Sequence, residues 1–402
     1  MGPRTLHLLA LAGLLAGMDL PLLAQAKPPS VPELVQQLRQ GEAGEQVLAA
    51  QALGRQGEGA ATATPDLVDA IRRGGPPLRD AAAAAIGAIG KKAVAALKKV
   101  LLDGEDDQRI AALVAIGKLG AASKPLQPHM SKLWLAERQA LSQAIEASFV
   151  ALQEHGVDEL TRCIGVFGVQ IPACDTLRAI GKPAKAAVPA LCKLLQSKTH
   201  GRNFAAGPLG TIQDPAAIPV LVEVLQEATK GPTTFLWTNV AQAAGRFGPA
   251  AAAAAPPLLE LMQLSQERRE HDDAGRAAMA LGDLGVRSPA VLDALRRLAT
   301  SGEADSRRFA AASLELLELP PTSSDSAIGQ AICHASSELQ QLGLQRAIER
   351  GAAGSKLVKA VLWRLEHTDD DELRLGAIRC RWSACSPPLA TSASRPAWGP
   401  SR

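Results

Sequence analysis

The chain has 402 residues, enough for two or three globular domains or one long repeat array. Hydrophobic residues make up 47% of it but aromatics only 3%, and tyrosine is absent. The apolar content is mostly alanine and leucine, strong helix formers, and runs of Val, Ile, Thr or aromatics are sparse, which excludes a β-rich fold and an aromatic core. With 43 Lys and Arg against 40 Asp and Glu, a net charge of +3 and no Lys/Arg block, no nucleic-acid partner is expected.

The first predicted element is a processing signal. Residues 1–26 read MGPRTLHLLALAGLLAGMDLPLLAQA. Arg4 supplies a positive start, LLALAGLLAG is an apolar run well below bilayer-spanning length, and Ala24 to Ala26 form a small-x-small cleavage site. Gly2, Pro3 and Pro21 bracket the run as a signal's flanks do. The expectation is a mature chain from Lys27, secreted or held in the periplasm or cell envelope, without a transmembrane segment and, with no Cys after the cleavage site, without a lipid anchor. High Ala, Gly, Pro and Arg usage points to a GC-rich bacterial genome.

From about Val31 the chain repeats itself. RIAALVAIGKLG (109–120) has near-copies in LAAQALGRQG, RDAAAAAIGAIG and GRAAMALGDLG. The first glycine of the ending falls at Gly54, Gly87, Gly117, Gly181, Gly210, Gly245 and Gly282, with degenerate copies that put Ala151, Glu315 and Glu349 in the same place. Ten units of about 33 residues result, and an eleventh begins after them. In nine of ten copies a large aliphatic precedes the glycine position, and Ala49, Ala82, Ala112, Ala205, Ala277 and Ala310 stand five before it. That spacing puts a small face on one side of a helix, where a neighbouring helix can approach closely. The glycines after the helix suit a left-handed C-terminal cap. Between these helices lies a second pattern, AVPALCKLLQ, AIPVLVEVLQ and APPLLELMQL, with Pro in the first turn and a Leu/Val stripe. The unit is thus a two-helix hairpin that buries its apolar face only by stacking.

Two registers of this repeat carry polar residues. Eight before the glycine stand Arg79, Arg109, Arg202, Arg307 and Arg374, with Trp237 in one copy. Because they recur in phase, these arginines are expected to serve the repeat by pairing with acidic or backbone groups of the adjacent turn, rather than an anionic partner. Seven and three before the glycine stand Asp80, Arg178, Asn203, Thr238, Gln242 and Arg308, four apart on the face opposite the small one. This stripe, with Trp237 beside it as an aromatic anchor, is the predicted partner-binding surface.

Chemistry is hard to find. His129, His155, His200, His271, His334 and His367 are scattered, and no two stand at helical metal spacing. EHDD (270–273) is a His–carboxylate cluster and reads as a solvated turn. There is no G-x-S-x-G, P-loop or C-x-x-C, so no catalytic, cofactor-binding or metal residue is expected. Export permits disulfides, and Cys163 and Cys174 fall on the two helices of one hairpin, where a bridge is possible.

DDQRIAALVAIGKLG and DPAAIPVLVEVLQ (Asp214 to Gln226) resemble the second and first helices of HEAT repeats, in the short form of the phycobilisome-lyase type. The aromatic signature of tetratricopeptide repeats is absent, and ankyrin repeats find only the echo TPDLVDA at Thr64. The resemblance implies an all-α fold, a right-handed α-α superhelix of the armadillo/HEAT kind over 27–379, with second helices lining its concave side. Residues 380–402, rich in Ser, Pro and Ala, read as a disordered or atypical tail. The family usually binds rather than catalyses. Some members are bilin lyases, and a related group is an iron-dependent hydroxylase built on paired His-Glu dipeptides, which this chain lacks. The expected function is an exported, non-enzymatic scaffold that binds a protein partner on its concave face. The alternative is a lyase-like enzyme or small-ligand carrier using the same groove.

Overall fold

The computed structural model describes residues 29–135, 139–230, 235–268, 271–301, 303–320, 322–334 and 337–350. The expected export signal, the eleventh unit with Arg374, His367, Glu270 of the EHDD cluster, Cys380, Cys385 and the tail lie outside them.

Every regular element among the described residues is a helix, and the α-helices fall in chain order into ten pairs. They are α1 (Val31–Gln40) and α2 (Ala43–Gln56), α3 (Thr64–Arg73) and α4 (Pro76–Ile89), α5 (Val94–Asp103) and α6 (Asp106–Ile116), α7 (Gln127–Trp134) and α8 (Gln139–Leu152), and α9 (Val157–Cys163) and α10 (Gln170–Ile180). Then follow α11 (Val188–Gln196) and α12 (Ala206–Ile212), α13 (Ile218–Ala228) and α14 (Phe235–Arg246), α15 (Ala255–Glu267) and α16 (His271–Leu284), α17 (Pro289–Ser301) and α18 (Ala304–Glu318), and α19 (Asp325–Ile332) and α20 (Ser337–Arg350). Odd-numbered helices are the first members of the hairpins and even-numbered helices the second. First helices such as α3, α11, α13 and α15 open with proline in the first turn, where the missing N–H has no helical partner to lose. The second helices α2 and α6 open with capping boxes, Glu42 with Glu45 and Glu105 with Gln108. The fold is an all-α solenoid of helical hairpins.

The chain forms two compact bodies, one holding residues up to Met130 with Arg138–Ser148, the other Ser131–Glu137 with the chain from Phe149. In the first, α2 packs on α4 and α4 on α6, with α1, α3 and α5 in a looser row beside them. In the second, α10, α12, α14, α16 and α18 pack in succession, and α11, α13, α15 and α17 form the looser row. The small face explains the asymmetry. Ala49, Ala82, Ala112, Ala205, Ala277 and Ala310 are all buried, and the large aliphatics Leu53, Ile86, Ile116, Leu209 and Leu281 fill the space between the rows.

The two glycines of the repeated ending have different jobs. The first is helical and marks a contact: a Cβ on Gly210 would stand 2.9 Å from the Cα of Ala243 on α14. The second breaks the helix. Positive φ recurs after the second helices, at residues 57, 90, 120, 153, 181, 213, 248, 285 and 319, spaced 28 to 37 apart. Gly57, Gly90 and Gly181 take φ of +55°, +64° and +69° with ψ of −130°, −128° and −135°, a region a Cβ closes. Gln213 and Leu319, which have a Cβ, sit instead in the left-handed helical region.

This series corrects the register in two units. Gly181 is the helix-breaking residue, so the contact position of its unit holds Arg178. Gln153 likewise moves the contact position to Val150 from Ala151, whereas before Leu319 the helix is one residue longer and buried Ala310 keeps Glu315 in register. The reason is that the sequence ending LRAIG supplies only one of the two glycines, and the one it keeps is the one whose dihedral angles demand it.

Candidate functional site

Three members of the arginine register are clasps inside their hairpins. Arg79 donates from Nε to the Gly74 carbonyl at 2.8 Å. Arg109 donates to the Leu101 and Leu102 carbonyls at 3.1 and 2.9 Å, with Asp106 at 3.5 Å. Arg202 donates to the Leu195 carbonyl at 3.1 Å and pairs with Glu227 at 3.1 Å. Each acceptor lies at the C-terminus of the preceding first helix, where carbonyls lack helical partners and the helix dipole favours a cation. The corrected register adds Gln170, which sequence reasoning passed over, and Gln340 makes the same kind of contact in the last described hairpin. Gln170 donates to the Ile164 carbonyl at 2.6 Å, and Gln340 donates to the His334 carbonyl. Arg307 is exposed.

Trp237 occupies this same register and is not a surface anchor. It is 1% exposed, and its neighbour Thr238 is 7% exposed. The indole replaces an arginine whose head would have reached back to carbonyls; an apolar ring in that place turns inward beside Val240, Ala241 and Ala244, all buried on α14. Both residues therefore leave the predicted binding stripe.

Three members of the stripe converge. Arg178 on α10, Asn203 in the turn before α12 and Gln242 on α14 line one hollow of about 130 Å³, together with Asp175, Asn239 and Arg246. Close packing at Gly210 brings α12 and α14 near enough to share it, and Gly207 leaves room for the Arg178 stem, whose Cδ would stand 3.3 Å from a Cβ there. Arg178 pairs with Asp175 at 3.0 Å, and Asn239 donates to the Asn203 carbonyl at 3.4 Å. Two guanidinium groups face one carboxylate, and the remaining polar groups are side-chain amides that both donate and accept. Asp80 on α4 and Arg308 on α18 are exposed and do not line this hollow. Asp175, Asn239 and Arg246 were missed because they stand outside the two chosen registers. The spacing of 239, 242 and 246 along one helix face was the available signal.

Cys163 and Cys174 are separate buried thiols. Burial pushes Cys174 up to about 12 and Cys163 upward as well, so neither is a ready nucleophile. Among the described residues no group of three or more His, Cys, Asp or Glu side chains is placed to hold a metal. Among the same residues no helix is long and apolar enough to cross a membrane.

Comparison with known proteins gives two family matches: HEAT repeats over residues 31–117, and the PBS lyase HEAT-like repeat over 202–227. No curated protein matches the sequence. Among solved structures, the chain is similar to the karyopherin Kap121p bound to the extreme C-terminus of the protein phosphatase Cdc14p, at 12% identity and TM-score 0.46 over 94% of this chain and 47% of that one. Kap121p bound to Nup53p matches at 12% identity and TM-score 0.45 over 89% and 46%. Kap121p bound to Pho4p matches at 12% identity and TM-score 0.44 over 88% and 45%. The chain thus spans about half the length of these structures. The first family match runs from α1 to the end of α6, and the second opens on the clasp residue Arg202 and closes on its ion-pair partner Glu227; over these residues the chain carries HEAT repeats.

Proposed function

We propose that this protein is an exported, non-enzymatic scaffold that holds a protein partner on the face formed by its second helices, the concave side of the solenoid. The observation that carries this reading is the convergence of Arg178, Asn203 and Gln242, from three successive hairpins, on one polar hollow. An exposed surface of amides and guanidinium groups is suited to peptide groups and carboxylates, and alternation of the two along stacked helices extends that chemistry over a long contact. Among the described residues, the buried thiols Cys163 and Cys174 are poor nucleophiles.

Affinity capture from an envelope extract tests the reading, with the chain from Lys27 as bait and an Arg178→Glu, Asn203→Ala, Gln242→Glu chain as control. All three side chains are at least partly exposed, so the control keeps the fold, which a thermal melt checks. A protein retained by the first bait and lost by the second is the expected result; identical recovery from both removes this face from the function. Export is tested separately, by sequencing the N-terminus of the chain recovered outside the cytoplasm, with Lys27 as the expected first residue.

A further inference from the structure

The turn between α9 and α10 holds an aromatic ring in open water. Phe167 is 97% exposed, and Val166, Ile171 and Leu135 around it are each about half exposed. Leu135 abuts the turn: its Cδ2 would stand 3.4 Å from a Cβ on Gly168. The turn is built rather than loose. Gly168 takes φ of +93°, Val166 N–H donates to the Cys163 carbonyl at 2.9 Å, and Gln170 ties the two ends together through the Ile164 carbonyl at 2.6 Å. Ile164 and Val169 bury the base of the turn while Phe167 stands off it. A fixed, fully hydrated phenyl ring is an unfavourable surface that association would relieve.

The other body carries a hollow of matching character. Ile71, Arg72, Arg79, Asp107, Ile110, Ala111 and Val114, from α3, α4 and α6, line about 270 Å³. An apolar cavity of about 150 Å³ takes up a benzene molecule, so this space admits a phenyl ring with room to spare. Its apolar wall includes buried Ile71 and half-exposed Val114. Two guanidinium groups stand at its edge, and both are already tethered, Arg72 to Asp69 at 2.7 Å and Arg79 to the Gly74 carbonyl at 2.8 Å. Cations fixed in advance beside an apolar pocket favour the face of an aromatic ring, at little cost in side-chain ordering.

We propose that Phe167 of one copy of this chain seats in the α3–α4–α6 hollow of a second copy. The two surfaces differ, so the contact is heterologous: a copy that donates its ring keeps its own hollow open to another ring, and association continues beyond one pair unless two copies close on each other reciprocally. One ring and three half-exposed neighbours are a small contact beside the roughly 800 Å² per partner of a stable interface, so the association is weak and concentration-dependent.

Sedimentation velocity on the full chain, from about 1 µM to several hundred µM, tests this range of weak affinity. The expected result is a weight-average mass that rises continuously with concentration. Phe167→Asp and Val114→Asp each lower the association constant at least about tenfold, as removal of a central anchor does. Phe167 makes no core contact, so its substitution leaves the fold intact; Arg72→Glu, at the exposed edge of the hollow, is a second variant on the receiving side and also weakens association. The decisive sample is an equimolar mixture of Phe167→Asp and Val114→Asp chains. One has an intact hollow and the other an intact ring, so they form a 1:1 complex that grows no further. A wild-type chain that stays monomeric throughout, association that survives Phe167→Asp, or a mixture that stays monomeric each overturns the proposal.

Discussion

Where α12 meets α14, the helices touch backbone to backbone: Gly210 has no side chain, and its neighbour across the gap is the Cα of Ala243. Where α7 meets α8, the space is filled by rings. Trp134 stacks on Phe149 with centroids 5.7 Å apart and planes 22° apart, and Phe149 in turn lies over Gly156, whose Cβ would stand 2.8 Å from the ring. The repeat therefore uses two packing solutions, one between successive hairpins and one within a hairpin, and glycine serves both, once to admit a helix and once to admit a ring. What the repeat holds constant is the positive-φ residue that ends the second helices; what it lets vary is how the gap before it is closed.

The largest effect that would separate the two solutions is Phe149→Ala. It empties a buried aromatic site that alanine neighbours cannot refill, and a loss of about 3–5 kcal/mol is expected. Urea unfolding followed by far-UV circular dichroism measures the loss, and hydrogen exchange shows whether it stays near α7 to α9, as a linear array requires. Gly210→Ala is expected to cost about 1–3 kcal/mol, because the new methyl meets backbone that must shift. Had the rings and the glycine contacts been equivalent ways of filling space, the two losses would be the same. Gly90→Ala should cost a comparable or smaller amount, about 1–2 kcal/mol, through its dihedral angles and not through packing: nothing lies within 4 Å of the added methyl. The smallest effect runs the other way. Gln153 holds φ of +51° with an exposed side chain, so Gln153→Gly is expected to raise the urea midpoint by less than about 1 kcal/mol in equivalent stability.

The architecture was legible because it is written many times over. A single AIG ending is weak evidence, but its recurrence in phase with proline-opened apolar helices specified the ten hairpins. Individual copies were less legible. Gly181 looked like a contact glycine because LRAIG copies the letters of AAAIG, and only the dihedral angles show that it ends the helix. Trp237 was readable as a register position and unreadable as a surface, because register says where a side chain starts and its polarity decides which way it turns. Of the candidate site, Arg178, Asn203 and Gln242 were found and Asp175, Asn239 and Arg246 were not. A fixed offset from the glycine samples one line along each helix, whereas a hollow between helices is lined from both flanks.

The clasps of Arg79, Arg109 and Gln170 reach carbonyls only five to eight residues earlier in the chain. The joint between the two helices of a unit is therefore closed by material that the unit itself encodes. A tandem duplication of one such segment would arrive with its fastening already inside it, and a deletion would take its own fastening away. Lengthening or shortening the array by whole units requires no compensating change elsewhere, which makes unit number the most easily altered property of this chain in evolution.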